Sequence, residues 1–567
     1  MNVITYIKTN FNKLFWLLSA IIFILIVLRA FFIPFSYDET ATFFFYVQNN
    51  DYLPYQAHVY TNNHVLNSAL TNLCYHLAGS NKFILRLPNI FSFILLCIGI
   101  FKHFKHLKTI YAKIILVTFF LLTTNFLDFF ELCRGYGLSF GLIVLGLAYL
   151  LDYFQDKKPK YFILFSIFLQ LALAANLILV VLLTILLFYV FVFQIKNKLL
   201  ANQATLLTQN INIWLLIFWI KFSFFYKEHG SLDSGIGDDY WEVTFKSLMS
   251  FLFSTDAVWI QILVLFSFAS IIFIAIKNFF QSSVSVDKLF TPWFFYPLIL
   301  GTLIIAFYVQ KKMLNVNFPE NRTGGFLYLF YVLSITFITD TISQKISSKV
   351  SLALIIPSII FFITTYNISN FSFWFYQTVP QSFYDILKDE AQKNNGFITI
   401  GGGKGRQWNY TFLNYRNNSV LNSMEDEKQM AMNCDYYIAT ERERNYYKYF
   451  YDEIATDNKW GRVLLKRKEK IQRKELYKMP ATPKNYKGNG EFFEFFRLKD
   501  SVLKTRNCTE LELEISFNNV PSPLPANIVM QVNNDKGEPI YYKKILLNCL
   551  ADNLNWQTKH LKLTTEP

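Results

Sequence analysis

Residues 14–33 read LFWLLSAIIFILIVLRAFFI, an almost unbroken apolar run, and residues 34–40 follow it with PFSYDET. About 20 apolar residues at helical rise are enough to cross the hydrocarbon core of a bilayer. No small-residue cleavage site follows the run, which favours a retained first span over a removed signal peptide. Similar runs recur up to Tyr366 and not beyond it. The sequence therefore predicts a helical protein that crosses the membrane many times.

Composition supports this class. Hydrophobic residues make up 53% of the 567 residues, 61 of them Phe, and the mean hydropathy is +0.26. The net charge of +14 is explained by basic residues in short loops between apolar runs, as membrane topology requires. The sequence has no stripe of basic residues interleaved with aromatics of the kind that binds nucleic acid. Membrane lipids are therefore the expected partners, and nucleic acid is not. The cysteines have no metal-type spacing; a Cys508–Cys549 disulfide stays open.

The apolar windows predict about eleven transmembrane helices. They lie at residues 14–33, 83–101, 111–128, 135–154, 161–175, 176–194, 211–226, 257–277, 292–309, 323–341 and 350–367.

Basic residues set the predicted orientation. Alternate loops are rich in lysine, for example at Lys102, Lys105, Lys157 and Lys158, and such loops face the cytoplasm. The N-terminus is then cytoplasmic, and an odd number of spans places the C-terminal third outside. In a bacterium this corresponds to the inner, cytoplasmic membrane with periplasmic C-terminal domains.

Two predicted outer loops, 34–82 and 227–256, are much longer than a turn, and long loops in compact proteins tend to be functional. The first contains an amphipathic stretch from Glu39 to Val47, which suits a short helix at the membrane interface.

Ionisable residues collect at the predicted outer ends of the spans, where charge is expensive. They are Asp38, Glu39, His64, Arg86, Glu131, Arg134, Glu320 and Arg322, with Tyr136 beside them. Because the topology puts all of them on one side, we expect a pocket there.

Such a pocket suits a transfer reaction in which a group passes from a phosphate, which departs, to an acceptor. One carboxylate could act as general base towards an acceptor hydroxyl, and arginines could hold the departing phosphate. A divalent cation bridging acidic residues, Asp38 and Glu131 being the candidates, could share that task.

Several of these residues have structural alternatives. Arg86 could be a snorkelling anchor, Tyr136 a member of the interfacial aromatic belt, and His64 a loop hydrogen-bonder. Glu131 could pair with Arg134 one helical turn away. The adjacent carboxylates at 38 and 39 repel each other without a basic neighbour in sequence, which favours a function for them.

Five short blocks in chain order carry a family resemblance. They are Asp38-Glu39, Asn63-His64-Val65-Leu66-Asn67, the segment 81–88, Cys133-Arg134-Gly135-Tyr136-Gly137 and Pro319-Glu320-Asn321-Arg322. Together they resemble the GT-C superfamily of membrane glycosyltransferases, in the branch of protein O-mannosyltransferases and lipid A aminoarabinose transferases. Val65-Leu66 stands where the family has Pro-Pro, which leaves the role of His64 the least secure.

The resemblance covers roughly residues 10–370 and implies a GT-C-like catalytic domain that takes sugar from a polyprenyl-phosphate donor. It implies that Asp38 is the catalytic base and that Glu39 supports it. It also implies that the basic residues meet the lipid phosphate. The acceptor could be a protein, a lipid or a glycan.

The predicted domains are a transmembrane catalytic domain (1–370), an extracytoplasmic mixed α/β domain (371–485) and a β-sandwich-like domain (486–567). In the α/β domain we expect an amphipathic helix over 381–393, strands over 396–400 and 435–440, and a charged helix over 441–454. The glycines of 401–405 lack phosphate-loop spacing and predict a turn. Short alternating segments at 491–498, 510–517, 527–532, 540–546 and 556–563 predict strands and indicate the sandwich.

Two other classes of function remain. A lipid or sugar transporter or flippase would show charges deep within the spans and internal repeats, whereas these charges cluster at one face. A non-catalytic membrane scaffold would be insensitive to mutation of the acidic pair.

Overall fold

The computed structural model describes residues 3–230, 239–255, 257–281, 285–369 and 371 of a first compact unit, Met1–Phe375. In a second unit, Tyr376–Pro567, it describes residues 377–394, 398–403, 405–417, 421, 424–426, 434–459, 461–470, 494, 496–497, 510–518, 527–534, 536–546, 549 and 556–564. The predicted division into three domains stays a prediction.

All regular secondary structure in the described residues of the first unit is helical. Its α-helices are α1 (Val3–Phe32), α2 (Tyr37–Thr42), α3 (Val65–Ala78), α4 (Lys82–His103), α5 (Ile110–Leu121), α6 (Thr124–Leu127), α7 (Gly135–Asp156), α8 (Pro159–Ala175), α9 (Val180–Lys196), α10 (Gln203–Glu228), α11 (Ser247–Phe253), α12 (Val258–Gln281), α13 (Pro292–Leu314), α14 (Gly325–Thr339) and α15 (Gln344–Thr365).

Among the described residues, eight helical segments are long and apolar enough to cross a membrane, and the chain is a polytopic α-helical membrane protein. They contain α1, α4, α7, α9, α12, α13, α14 and α15. A ninth results if α5 and the segment Thr124–Phe130, bent by 65° from it, count as one span.

Ten of the predicted spans coincide with a helix, whereas the span predicted over 111–128 is two short helical segments bent by 65°. The number eleven stays a prediction. Helix α8 has only 17 residues, and α10, although 26 residues long, is not among the sufficiently apolar helices. The orientation of the termini likewise stays a prediction.

Helix α7 lies at the centre of this unit, because 94% of its 18-residue apolar stretch is buried. It packs closely on α4 because glycines stand at the contact. A Cβ on Gly141 would lie 2.4 Å from the Ser92 carbonyl oxygen, and one on Gly99 would lie 2.7 Å from the Leu145 backbone nitrogen. Small residues allow such close approach between helices in membranes.

The amphipathic stretch from Glu39 to Val47 is helical as predicted, but it is buried inside the protein. Helix α2 continues as a π-helical turn, Phe43–Val47, and most of the two segments is covered by other residues. Helix α3 follows in the same loop, so residues 34–82 form a folded cap on the span ends and not a surface helix.

The second unit combines a mixed sheet with two small antiparallel sheets. Its helices are α16 (Gln381–Lys393), α17 (Arg406–Arg416) and α18 (Arg444–Tyr447). Its strands are β1 (Ile400–Gly402), β2 (Glu425–Asp426), β3 (Tyr436–Thr440), β4 (Tyr451–Asp457), β5 (Arg462–Arg467), β6 (Glu510–Asn518), β7 (Asn527–Asn533), β8 (Pro539–Leu546) and β9 (Trp556–Thr564).

The mixed sheet has the strand order β2-β1-β3-β5-β4. Strands β1, β2 and β3 are parallel, and β5 runs antiparallel to both β3 and β4. The helix predicted over 441–454 is wrong: only α18 is helical there, because β4 pairs with β5 through the alternating pattern of residues 451–457. The predicted helix α16 is confirmed.

The glycine run leads from β1 through Gly405, whose φ is +93°, into α17. A left-handed φ of this kind favours glycine, in agreement with a turn at Gly405. Gly401 and Gly402, which were predicted in the same turn, belong to β1 instead.

Two ladders occupy the end of the chain. Strand β6 pairs with β9 and β7 pairs with β8, both antiparallel, at the four later segments where strands are predicted. The first predicted strand, 491–498, falls mostly outside the described residues, as does Cys508. The packing of a sandwich stays a prediction.

Candidate active site

Glu39 holds the loop that follows the first span. Ser36 and Glu39 form a capping box at the start of α2, in which the Glu39 Oε2 atom accepts from the Ser36 backbone N–H at 2.9 Å. Its Oε1 atom accepts from the Cys133 backbone N–H at 2.7 Å. This carboxylate is fully buried, so its role is to fasten α2 to the turn before α7.

Arg86 completes that fastening from α4. Its Nε and Nη2 atoms donate to both Glu39 oxygens, at 2.7 and 2.8 Å. The other N–H groups donate to the backbone oxygens of Ala30, Ile33 and Pro34 at 2.6–3.1 Å. All five N–H groups of a guanidinium are thus used, and the side chain has no exposed surface. Arg86 is therefore a structural residue here, and the predicted contact with a substrate phosphate is not available to it.

Asp38, the neighbour of Glu39, faces a different environment. Its Oδ2 atom lies 2.6 Å from Arg322 Nη2 and 3.9 Å from Arg134 Nη2. The side chains of Asp38 and Arg322 keep 18% and 29% of their surface exposed, against 6% for Arg134. We call these three residues the Asp38 cluster. One carboxylate stands against two guanidinium groups, so the cluster carries an excess positive charge beside a partly open edge.

This charge balance sets the protonation of Asp38. Burial by itself would raise the pKa of the Asp38 carboxyl, but the positive charges of Arg322 and Arg134 outweigh it, and the pKa lies below its ordinary value. Asp38 is thus a carboxylate at neutral pH, and its basicity is restrained by the arginines.

Polar side chains of the first loop orient Arg134. Its Nη1 atom donates to Asn62 Oδ1 and lies 3.4 Å from Thr42 Oγ1. The Asn62 amide in turn donates to the Asp38 carbonyl oxygen at 3.1 Å and to Thr42 at 3.2 Å. The Arg134 guanidinium also lies over the Tyr136 ring, 5.6 Å from its centroid. These contacts fix the cation relative to the helix that carries Asp38.

His64 lies on the same aromatic ring, with ring centroids 5.0 Å apart in an edge-to-face arrangement. Its Nδ1 atom is 2.8 Å from the Ala175 carbonyl oxygen. Gly135 permits this approach, because a Cβ there would lie 1.9 Å from that oxygen and 2.7 Å from the imidazole. Burial and the charge of Arg134 lower the pKa of His64 well below its ordinary value, so the ring is neutral.

Glu131 belongs to a second buried cluster. It accepts from Arg29 Nε at 2.5 Å, while Asp128 accepts from Arg29 Nη2 at 2.6 Å. Arg29 also donates to the Asn367 carbonyl oxygen, and it lies over the Tyr366 ring. This cluster joins the end of α1 to the segment after α5 and to the end of α15. The alternative pairing of Glu131 with Arg134 is not formed, because Glu131 pairs with Arg29.

Glu320 lies outside both clusters. It is exposed and caps the short 3₁₀ helix Asn321–Gly324, where its side chain and that of Thr323 form a capping box. This turn carries Arg322 to the Asp38 carboxylate.

The predicted metal site at Asp38 and Glu131 stays a prediction. In the described part of the chain no three His, Cys, Asp or Glu residues are grouped so that they could hold a metal ion. Each of the two carboxylates has an arginine as its near neighbour.

Sequence reasoning missed Arg29, Asp128, Thr42 and Asn62. Arg29 lies inside an apolar run and was not singled out, although a charged residue at that depth is itself an indication of a functional site. For Asn62 the only signal is its place beside the His64 block.

The structure is similar to two crystal structures of ArnT from Cupriavidus metallidurans. The apo structure gives a TM-score of 0.45 at 12% identity, and the one bound to undecaprenyl phosphate gives 0.43 at 11%. Each match covers 81% of this chain and 98% of the other. No family model matches the sequence, and no curated protein matches it. Because both TM-scores are below 0.5, the functional proposal rests on the residues of the site.

Proposed function

We propose that this protein is a membrane glycosyltransferase that moves a sugar from a polyprenyl-phosphate donor to an acceptor hydroxyl or phosphate at the outer face of the membrane. The observation that carries the proposal is the Asp38 cluster, in which one carboxylate shares two arginines at a partly exposed edge. The GT-C-like sequence blocks support the same assignment.

The phosphate of the donor would bind Arg322 and Arg134. Guanidinium groups bind phosphate oxygens by charge-assisted and often bidentate hydrogen bonds. An anion at this position competes with Asp38 for the same cations, and Arg322 has the exposed surface that exchange requires. Donor binding therefore draws Arg322 away from the carboxylate, while Arg134 stays held by Asn62 and Thr42.

That exchange prepares Asp38 as the base. With its arginines neutralised by phosphate, the carboxylate loses the charges that hold its pKa down, and its basicity rises. Asp38 then takes the proton of the acceptor hydroxyl while the acceptor oxygen bonds to the anomeric carbon. The bond from that carbon to the phosphate oxygen breaks, and polyprenyl phosphate leaves with the electron pair.

The test is sugar transfer in proteoliposomes, with a panel of polyprenyl-phosphate sugars and native membrane acceptors. We expect transfer by the unaltered protein and a loss of about a hundredfold or more in Asp38→Asn, the scale of a general base. Asp287→Asn is the matched control, because Asp287 is 72% exposed and pairs with Lys196. Equal transfer by both variants would remove Asp38 from the mechanism. Lipid translocation without transfer would instead identify a flippase.

A further inference from the structure

His64 presents a hydrogen-bond acceptor that the protein leaves unused. A carbonyl oxygen cannot donate, so the Nδ1 atom facing Ala175 must carry the proton. In a neutral imidazole the Nε2 atom is then an acceptor. That atom is buried and has no hydrogen-bond partner among the described residues. A buried polar group without a partner costs about 1–3 kcal/mol, so its presence calls for an explanation.

Arg134 presents the complementary donor. Its Nε atom is also buried and has no hydrogen-bond partner in the described part of the chain, although its two terminal nitrogens are engaged. The Tyr136 ring lies beside both residues, with the His64 imidazole in an edge-to-face arrangement and the Arg134 guanidinium over the ring. An unused acceptor and an unused donor therefore adjoin the same aromatic ring.

We propose that His64 and Arg134 form a subsite for a neutral hydroxyl group of the substrate, which donates to His64 Nε2 and accepts from Arg134 Nε. A hydroxyl is the simplest group that does both. An ammonium group would satisfy the imidazole but would stand beside the positive charges of Arg134 and Arg322. A phosphate oxygen would satisfy the guanidinium and leave the imidazole without a donor.

This inference rests on the proposed function and narrows its substrate. The hydroxyl belongs either to the donor sugar or to the acceptor, and the subsite recognises both in the same way. It reaches the subsite from the side of Asp38 and Arg322, the members of the Asp38 cluster with the most exposed side chains. The donor phosphate opens that side when it draws Arg322 from the carboxylate.

Two substitutions separate the functions of the imidazole nitrogens. In His64→Asn the amide N–H can still donate to Ala175, but nothing replaces Nε2. In His64→Gln the longer amide can supply an acceptor near the Nε2 position. Comparing them distinguishes loss of hydroxyl recognition from loss of the contact with α8, and thermal unfolding in detergent reports whether each variant folds.

The probes are decaprenyl-phosphate hexoses with single hydroxyls replaced by hydrogen or by an amino group, and their binding to the purified full chain is measured by titration calorimetry. The unaltered protein should bind one deoxy analogue about tenfold more weakly than the parent, as expected when a buried group is left unpaired. The amino analogue at that position should also bind weakly. The His64→Asn variant should bind the parent donor and this deoxy analogue about equally. The His64→Gln variant should recover part of the preference for the parent.

If the hydroxyl comes from the acceptor, no donor analogue is discriminated. His64→Asn then raises the acceptor KM about tenfold in the transfer assay and changes kcat little. The proposal fails if His64→Asn matches the unaltered protein for every analogue and for the acceptor KM. It also fails if a deoxy analogue binds weakly while the amino analogue at the same position binds as well as the parent. Discrimination in binding without transfer to any acceptor would uphold the subsite and overturn the proposed glycosyltransferase.

Discussion

Removing the charge of Glu39 should destabilise the membrane unit far more than the same change elsewhere. In Glu39→Gln, one carboxylate oxygen becomes an NH₂ group that faces backbone or guanidinium donors. If that group replaces Oε2, the Ser36 N–H and the Arg86 Nη2 donor lose their acceptor. Each unsatisfied buried donor costs about 1–3 kcal/mol. In addition, Arg86 stays buried without its counter-charge, and breaking a buried pair in this way typically costs about 3–5 kcal/mol in total.

The assay is reversible denaturation in mixed micelles of dodecylmaltoside and SDS, followed by far-ultraviolet circular dichroism. We expect the free energy of unfolding to fall by about 3–5 kcal/mol in Glu39→Gln. The matched control is Glu228→Gln, because Glu228 is exposed at the end of α10 and such changes stay within about 0.5 kcal/mol. If the two variants unfold alike, the carboxylate does not hold α2 in place, and our account of the loop is refuted.

Two further predictions concern the same site. The acidic limb of the pH dependence of kcat/KM, which reports the free enzyme, should lie below the ordinary carboxyl range, since the pKa of Asp38 is lowered. The stability from its ion pair is likewise present above that range and lost as pH falls through the lowered pKa. Arg322→Gln should move this limb to higher pH, and an unmoved limb would contradict the assignment. The Gly135→Ala variant should have a free energy of unfolding that is lower by about 2 kcal/mol or more, because overpacking is costly. Its added Cβ would lie 1.9 Å from the Ala175 carbonyl oxygen. Gly301→Ala, with nothing within 4 Å, should be neutral or stabilising in the same denaturation assay.

The helices were predictable because apolar runs of membrane length have few alternatives to a buried helix. The structural role of Glu39 was predictable as well, since Ser36 followed three residues later by Glu is the signature of a capping box. The interpretation of the adjacent carboxylates as an active pair leaves this local signal out of account.

The ion pairs were not predictable from spacing. Glu131 and Arg134 are three residues apart, which would bring them together on a helix. Arg134 is instead the extended N-cap of α7, with φ −138° and ψ 141°, so its side chain leaves in another direction. Glu131 pairs with Arg29, 102 residues away. Such a choice depends on how α1 packs against the segment after α5, and no local pattern encodes that.

The contrast between the two neighbouring carboxylates explains how this site could respond to its substrate. Glu39 accepts four hydrogen bonds, two of them from backbone groups that cannot leave. Asp38 is held chiefly by side-chain cations, one of which has exposed surface. An incoming phosphate can therefore displace Asp38 from its partners but cannot displace Glu39. In the proposed mechanism the anion that binds is also the one that releases the base, so donor binding and activation of Asp38 would be one event, while the adjoining carboxylate keeps the helix fixed.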